Sequence, residues 1–133
     1  MKLYDQYDFN GQGYQKLFHF NSWRIAELKY IKEIDASDVN FLECHLETDE
    51  VFVLFEGHCD MWFYQNNEPG SKFEKISLTK HDVYRIPKGV YHAHRLSLDA
   101  KILLIEEENT SDENSDRIYL NEDEMKHARG LLK

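Results

Sequence analysis

Apolar and polar positions along this chain come in short runs, and a turn-forming group closes almost every one. The stretch LFHFNSWRIAELKY is rich in strand formers, with Trp23, Ile25 and Leu28 in its second half, and the Asn21-Ser22 pair interrupts it. DASDVN reads as a loop, followed by the strands FLECHLE and EVFVLFEGHCDMWFYQ. The second of these bends at Gly57, where a missing Cβ lets a wall fold sharply. NNEPGS is a turn, FEKISLT alternates like an edge strand, and HDVYRIPKG leads into a histidine pair. SLDAK reads as a hairpin turn before ILLIEEE. Seven or eight short strands with frequent turns and no long central helix predict an all-β sandwich or barrel.

The flanks differ. Residues 1–16 form a polar lead-in with Gly11 and Gly13, read as an arm. The acid-rich EEENTSDENSD reads as a solvated loop. NEDEMKHARGLLK predicts a short helix over 121–132, capped by Asn121 with Glu124 three residues on, and with Met125, Ala128 and Leu132 on one face. The expected organisation is a single domain over 1–133: arm 1–16, barrel core 17–108, acidic loop and last strand 109–120, then the helix.

Composition narrows this picture. At 133 residues the chain suits one domain with a real core. Apolar residues are 41% and aromatics 14%, which favours a folded β-rich domain over disorder. A formal net charge of −9, with no basic run, argues against nucleic acid as a partner. The N-terminus MKLYDQYDFN carries no apolar run suited to a signal peptide or membrane span, so no membrane partner is expected. Only Cys44 and Cys59 are present, and reduced thiols in a cytoplasmic setting are the expectation.

The candidate chemistry lies in ECHLETDEVFVLFEG and PKGVYHAHRL. Residues two apart in a strand share a face, so Glu43 and His45 can aim at one point while Cys44 faces away. Glu50 opens the next strand after the corner LETD and shares its face with Phe52 and Leu54, whereas Asp49 alternates away. His92 and His94 repeat the two-apart spacing. A lone strand histidine is more often structural than a ligand, but these carboxylates and imidazoles accompany one another. Glu43, His45, Glu50 and His92 are therefore read as metal ligands, two oxygens and two nitrogens suited to Mn, Fe, Co, Ni or Zn. His94 is read as a proton carrier or a group supporting the ligands. His19, His58, His81 and His127 are read as structural or surface residues.

The same residues carry a family resemblance. The chain resembles the cupins, whose first motif has His-x-His, four residues, Glu, six residues and Gly. His45 fits the second His, LETD fills the gap, and VFVLFE separates Glu50 from Gly57. The second motif has Gly, five residues, Pro-x-Gly, two residues and His; Pro87, Gly89 and His92 fit it. Glu43 stands where the first His is usual, and His81 where the opening Gly is usual. The resemblance implies a double-stranded β-helix (jelly-roll) barrel holding a divalent transition metal and a small-molecule ligand. It also implies an isomerase, epimerase or lyase acting on a sugar or oxoacid, with His94 or Glu43 as catalytic proton carriers. The alternatives are a non-catalytic binding or sensing cupin, an iron dioxygenase, or a metal-free structural dimer. A homodimer is expected because edge strands expose unpaired backbone groups.

Overall fold

The computed structural model describes residues 3–8, 10–32, 41–64 and 74–123. Among them run ten strands: β1 Tyr14–Phe20, β2 Trp23–Leu28, β3 Phe41–His45, β4 Glu50–Glu56, β5 Cys59–Tyr64, β6 Glu74–Ser77, β7 Val83–Ile86, β8 Tyr91–Leu96, β9 Lys101–Glu107 and β10 Ser115–Tyr119. They form two antiparallel five-stranded sheets. The first has the order β1-β2-β9-β4-β7 and the second β10-β3-β8-β5-β6. The all-β expectation holds. The helix read over 121–132 lies outside the described residues from 124 onward. Among the described residues, no helix is long and apolar enough to cross a membrane.

Alternation decides which side chains meet. Phe52 and Leu54 on β4, Ile102 and Leu104 on β9, and Ala26 and Leu28 on β2 point toward the second sheet. There they join Cys59, Met61 and Leu96 in the main core. The intervening residues of the second sheet build a separate cluster on its other face, with Leu42, Cys44, Trp62, Tyr91, Ala93 and Leu120. Cys44 thus faces away from Glu43 and His45, as the alternation required. Removing a large core side chain such as Leu104 would cost about 2–5 kcal/mol through lost transfer energy and a residual cavity.

Turn chemistry matches most of the expected stops. Asn21, in the left-handed region at φ 53°, closes β1 onto β2, so that Phe20 pairs with Trp23. Gly57 is left-handed at φ 75°, and a Cβ there would stand 2.7 Å from the Ala100 backbone, so both conformation and space demand glycine. His81 is left-handed too, at φ 71°. That explains why glycine is usual there, and His81 pays for its side chain in backbone strain.

Two expectations need correction. SLDAK is not a hairpin turn: β8 and β9 lie in different sheets, so this turn carries the chain across the sandwich. EEENTSDENSD is not wholly a solvated loop either. Glu106 and Glu107 belong to β9, and Glu106 is buried. Asp112–Asn114 form one 3-10 turn capped by Ser111, and Ser115 and Asp116 open β10. β1 begins at Tyr14, within the stretch read as the arm.

Candidate metal centre and its pocket

Three short strands bring the donors together. His45 ends β3 in the second sheet, and the corner 46–49 swings the chain to the first sheet, where Glu50 opens β4. His92 lies on β8, beside β3, with Glu43 as its direct cross-strand partner. The second motif is tied to the first by two hydrogen bonds donated from its backbone. Gly89 N–H donates to the His45 carbonyl at 2.8 Å, and Lys88 N–H donates to Asp49 Oδ1 at 2.8 Å. Gly89 needs its positive φ of 82° for this loop. Asp49, turned away from the donors, therefore holds the loop that delivers His92.

The second nitrogen of each imidazole sets what the first can do. Ser115, directly opposite His45 in the register, donates its hydroxyl proton to the Ser111 carbonyl at 2.7 Å. Its oxygen then accepts from His45 Nδ1–H at 2.9 Å. His92 Nδ1 faces the Val90 carbonyl at 3.1 Å, an acceptor only, so it too carries the proton on Nδ1. Both neutral rings consequently present Nε2 lone pairs to Glu50, His45 at 2.8 Å and His92 at 3.4 Å. The three ligand atoms all lie within 4.8 Å of one another. Lone pairs converging on a buried carboxylate require a proton or a cation between them. The donor set fits a divalent transition metal held by His45, Glu50 and His92.

Electrostatics agree with that demand. Burial alone would pull the His45 imidazole down and push the Glu50 carboxyl up. Where a proton rather than a cation fills that gap, the bonds from the imidazoles to Glu50 outweigh burial, so Glu50 is held well below the usual carboxylate range and His45 is raised.

Glu43 lies elsewhere in the pocket. Arg117 on β10 is its direct cross-strand partner on the side away from His92, and Arg117 Nε donates to Glu43 Oε2 at 2.9 Å. The Arg117 guanidinium also lies over the Phe41 ring, 4.3 Å from its centroid. Among the described residues, the close donor group comprises His45, Glu50 and His92, without Glu43. His94 lines the same pocket.

Three further pocket residues were not singled out from the sequence. Glu106 on β9 sits directly opposite Arg24 on β2 and is almost fully buried. Arg24 donates to Glu106 Oε1 from Nη2 at 2.7 Å and Nε at 3.1 Å, and Tyr14 O–H donates to the same oxygen at 2.9 Å. Arg24 also donates to the carbonyls of Glu108 and Thr110. Burial, then the adjoining Glu50 carboxyl, push Glu106 up to about 7, against the pull of Arg24 and Tyr14. The inward phase of β9, in which Ile102, Leu104 and Glu106 follow at every second residue, was the available signal. The acid run masked it.

Together these groups line a cavity of about 430 Å3 between the sheets. The three converging lone pairs, the Glu106–Arg24–Tyr14 cluster, and Glu43, Arg117, Ser111 and Asp112 all line it. Such a cavity, with apolar walls formed by Leu28, Phe52 and Leu104 and a few convergent polar groups, has the character of a small-molecule site.

No protein-family model and no curated protein matches this sequence. Solved structures do match. A cupin-2 domain protein from Shewanella frigidimarina NCIMB 400 is 25% identical, with a TM-score of 0.53 over 73% of this chain and 82% of its own. The QdtA 3,4-ketoisomerase from Thermoanaerobacterium thermosaccharolyticum, a double mutant in complex with TDP, is 15% identical. Its TM-score is 0.57, over 86% of this chain and 78% of its own. Hydroquinone 1,2-dioxygenase from Sphingomonas sp. TTNP3, with 4-hydroxybenzoate bound, is 13% identical with a TM-score of 0.57, over 76% of this chain and 70% of its own. With the two sheets, their strand order and the paired motifs around His45, Glu50 and His92, these likenesses lead to one conclusion: the chain has the cupin fold.

Proposed function

We propose that the protein is a metal-dependent enzyme that isomerises, epimerises or eliminates on a small sugar or oxoacid within its barrel. The observation that carries this reading is the orientation of the two imidazoles. Each gives its Nδ1 proton to a fixed acceptor and turns Nε2 toward Glu50. His45, Glu50 and His92 would hold a divalent ion, which when bound would polarise a carbonyl or carboxylate oxygen of the substrate. Arg24 and Tyr14 keep Glu106 in place in the same pocket, and Glu106 or His94 would hold a proton taken from carbon. Glu43 is braced by Arg117, and the pair would contact the far part of a ligand. A ketoisomerase among the similar structures supports the reaction class.

The test is uptake followed by exchange. Purified protein incubated with Mn, Fe, Co, Ni or Zn should bind close to one ion per chain, and His45→Ala with His92→Ala should abolish binding. The loaded protein should then exchange solvent deuterium into the carbon next to the carbonyl of a ketosugar or 2-oxoacid, read by NMR. A chain that takes up none of these metals overturns the reading.

A second reading, an iron dioxygenase, is favoured by the donor set itself. Two histidines and one carboxylate with open positions are the ligand set of non-haem Fe(II) oxygenases, and a dioxygenase is among the similar structures. Oxygen consumption by the Fe(II)-loaded protein with an aromatic substrate, without deuterium exchange, would select it.

The assembly we propose is a homodimer formed through the edge strand β1 and the adjoining start of β2, where Phe20 and Trp23 are exposed. Light scattering that shows a monomer at about tens of micromolar, ordinary for dimer affinities, overturns it.

A further inference from the structure

We propose a second ligand site on the outer side of the first sheet, centred on Glu27 and built for a hard, oxygen-seeking divalent cation of the calcium class. Glu27 on β2 pairs directly with Gln15 on β1. Both point away from the face that carries Tyr14 and Leu28 into the inner pocket, so this site is separate from the metal centre and independent of its reading. Glu27 is fully buried, at 0% exposure, yet neither carboxylate oxygen has a hydrogen-bond partner among the described residues. A carboxylate buried without a donor calls for something positive to meet it.

The surroundings supply the rest of a cation site. A cavity of about 350 Å3 borders Glu27, and Gln6, Asp8, Asn10, Gly11 and Gln15 also line it. Lys16, the cation on its border, is engaged by Glu108 at 2.8 Å. At Gly11 a Cβ would stand 2.1 Å from Glu27 Oε1 and 1.7 Å from Gln15 Oε1. The missing side chain is what lets a carboxylate oxygen and an amide oxygen converge there. Carboxylate and amide oxygens, with no imidazole or thiol among the lining residues, are the ligands of a hard cation rather than a late transition metal.

The experiment titrates calcium chloride into chelator-stripped full-length protein, by calorimetry and by thermal unfolding. Four proteins are compared: wild type, Glu27→Gln, Gly11→Ala and Glu50→Gln. We expect about one calcium per wild-type chain with a rise in melting temperature, because a ligand bound only to the folded state stabilises it. Glu27→Gln removes the charge and should weaken uptake at least about tenfold, since charge count tunes such sites. Gly11→Ala should do the same by filling the gap between the oxygens. Its methyl meets only the ends of flexible side chains, so it decides the matter if Glu27→Gln fails to fold. Glu50→Gln should leave calcium uptake unchanged. The proposal is overturned if wild type takes up no calcium at millimolar concentration, if both Glu27→Gln and Gly11→Ala bind it as wild type does, or if Glu50→Gln abolishes binding. An inverted Gln15 amide that donates to Glu27 would give the first of these results.

Discussion

Glu50 and Glu27 are two buried carboxylates of one sheet, and they sit in opposite circumstances. Glu50 faces inward, where His45 and His92 turn their Nε2 atoms to it, and a proton or a cation shared with them keeps it ionised. Glu27 faces outward, is equally hidden, and meets no donor among the described residues. Glu106 gives a third case, inward-facing and held by Arg24 and Tyr14, but pushed up to about 7 by burial and by Glu50. Burial alone does not mark a functional acid. The partners do, since they decide whether the charge persists and what could replace a proton beside it.

The sharpest way to break the comparison is to remove Glu50. Glu50→Gln should lower transition-metal affinity by at least about 100-fold, the upper end of what losing even an outer-shell partner costs. Elemental analysis and metal competition read this directly, and metal retained at wild-type affinity would contradict the assignment.

Arg24 tests the Glu106 cluster. Arg24→Met leaves Glu106 buried without its cation and should cost about 3–5 kcal/mol in denaturant unfolding above neutral pH. Adding Glu106→Leu should recover most of that loss, because the stranded charge goes with it. Additive losses in the double variant would show that the two residues act separately.

pH separates the metal-free from the metal-bound protein. The raised His45 contributes stability that is present below its unfolded value of 6.5 and is lost as pH rises through its folded value. The raised Glu106 works in the same direction, since its ionisation between 4.5 and about 7 places a charge in a buried site. The depressed Glu50 contributes stability above 4.5 that is lost only in strong acid. Metal-free protein should therefore lose melting temperature from pH 6 to pH 8. Metal uptake should strengthen over the same interval as His45 gives up its proton. A metal-free melting temperature that rises across this interval would contradict the placement of both groups.

The smallest effect is expected at Glu43. Its pair with Arg117 is half-exposed, so Glu43→Gln should cost only about 0.2–1 kcal/mol. Glu43→His should leave metal preference where it is, because Arg117, not the donor group, holds the carboxylate. A shift toward Ni and Zn in metal competition would instead make Glu43 a ligand.

Much of this was legible beforehand, because alternation and turn chemistry are local. The strands, the stops at Asn21-Ser22 and Gly57, the outward turn of Cys44, and the meeting of His45, Glu50 and His92 all follow from spacing. What local pattern could not supply was pairing. Arg117 became the partner of Glu43 only because β10 lies against β3 in that register. Arg24 came to face Glu106 only because β9 lies beside β2, far from it in sequence. The turn at SLDAK looks the same whether it closes a hairpin or crosses between sheets, and strand order alone decided that. The sequence by itself determined which residues alternate inward and where the chain must turn, since those depend on neighbours a few positions away. Tertiary structure decided which charges meet, because strand order and register bring together residues that share no local signal.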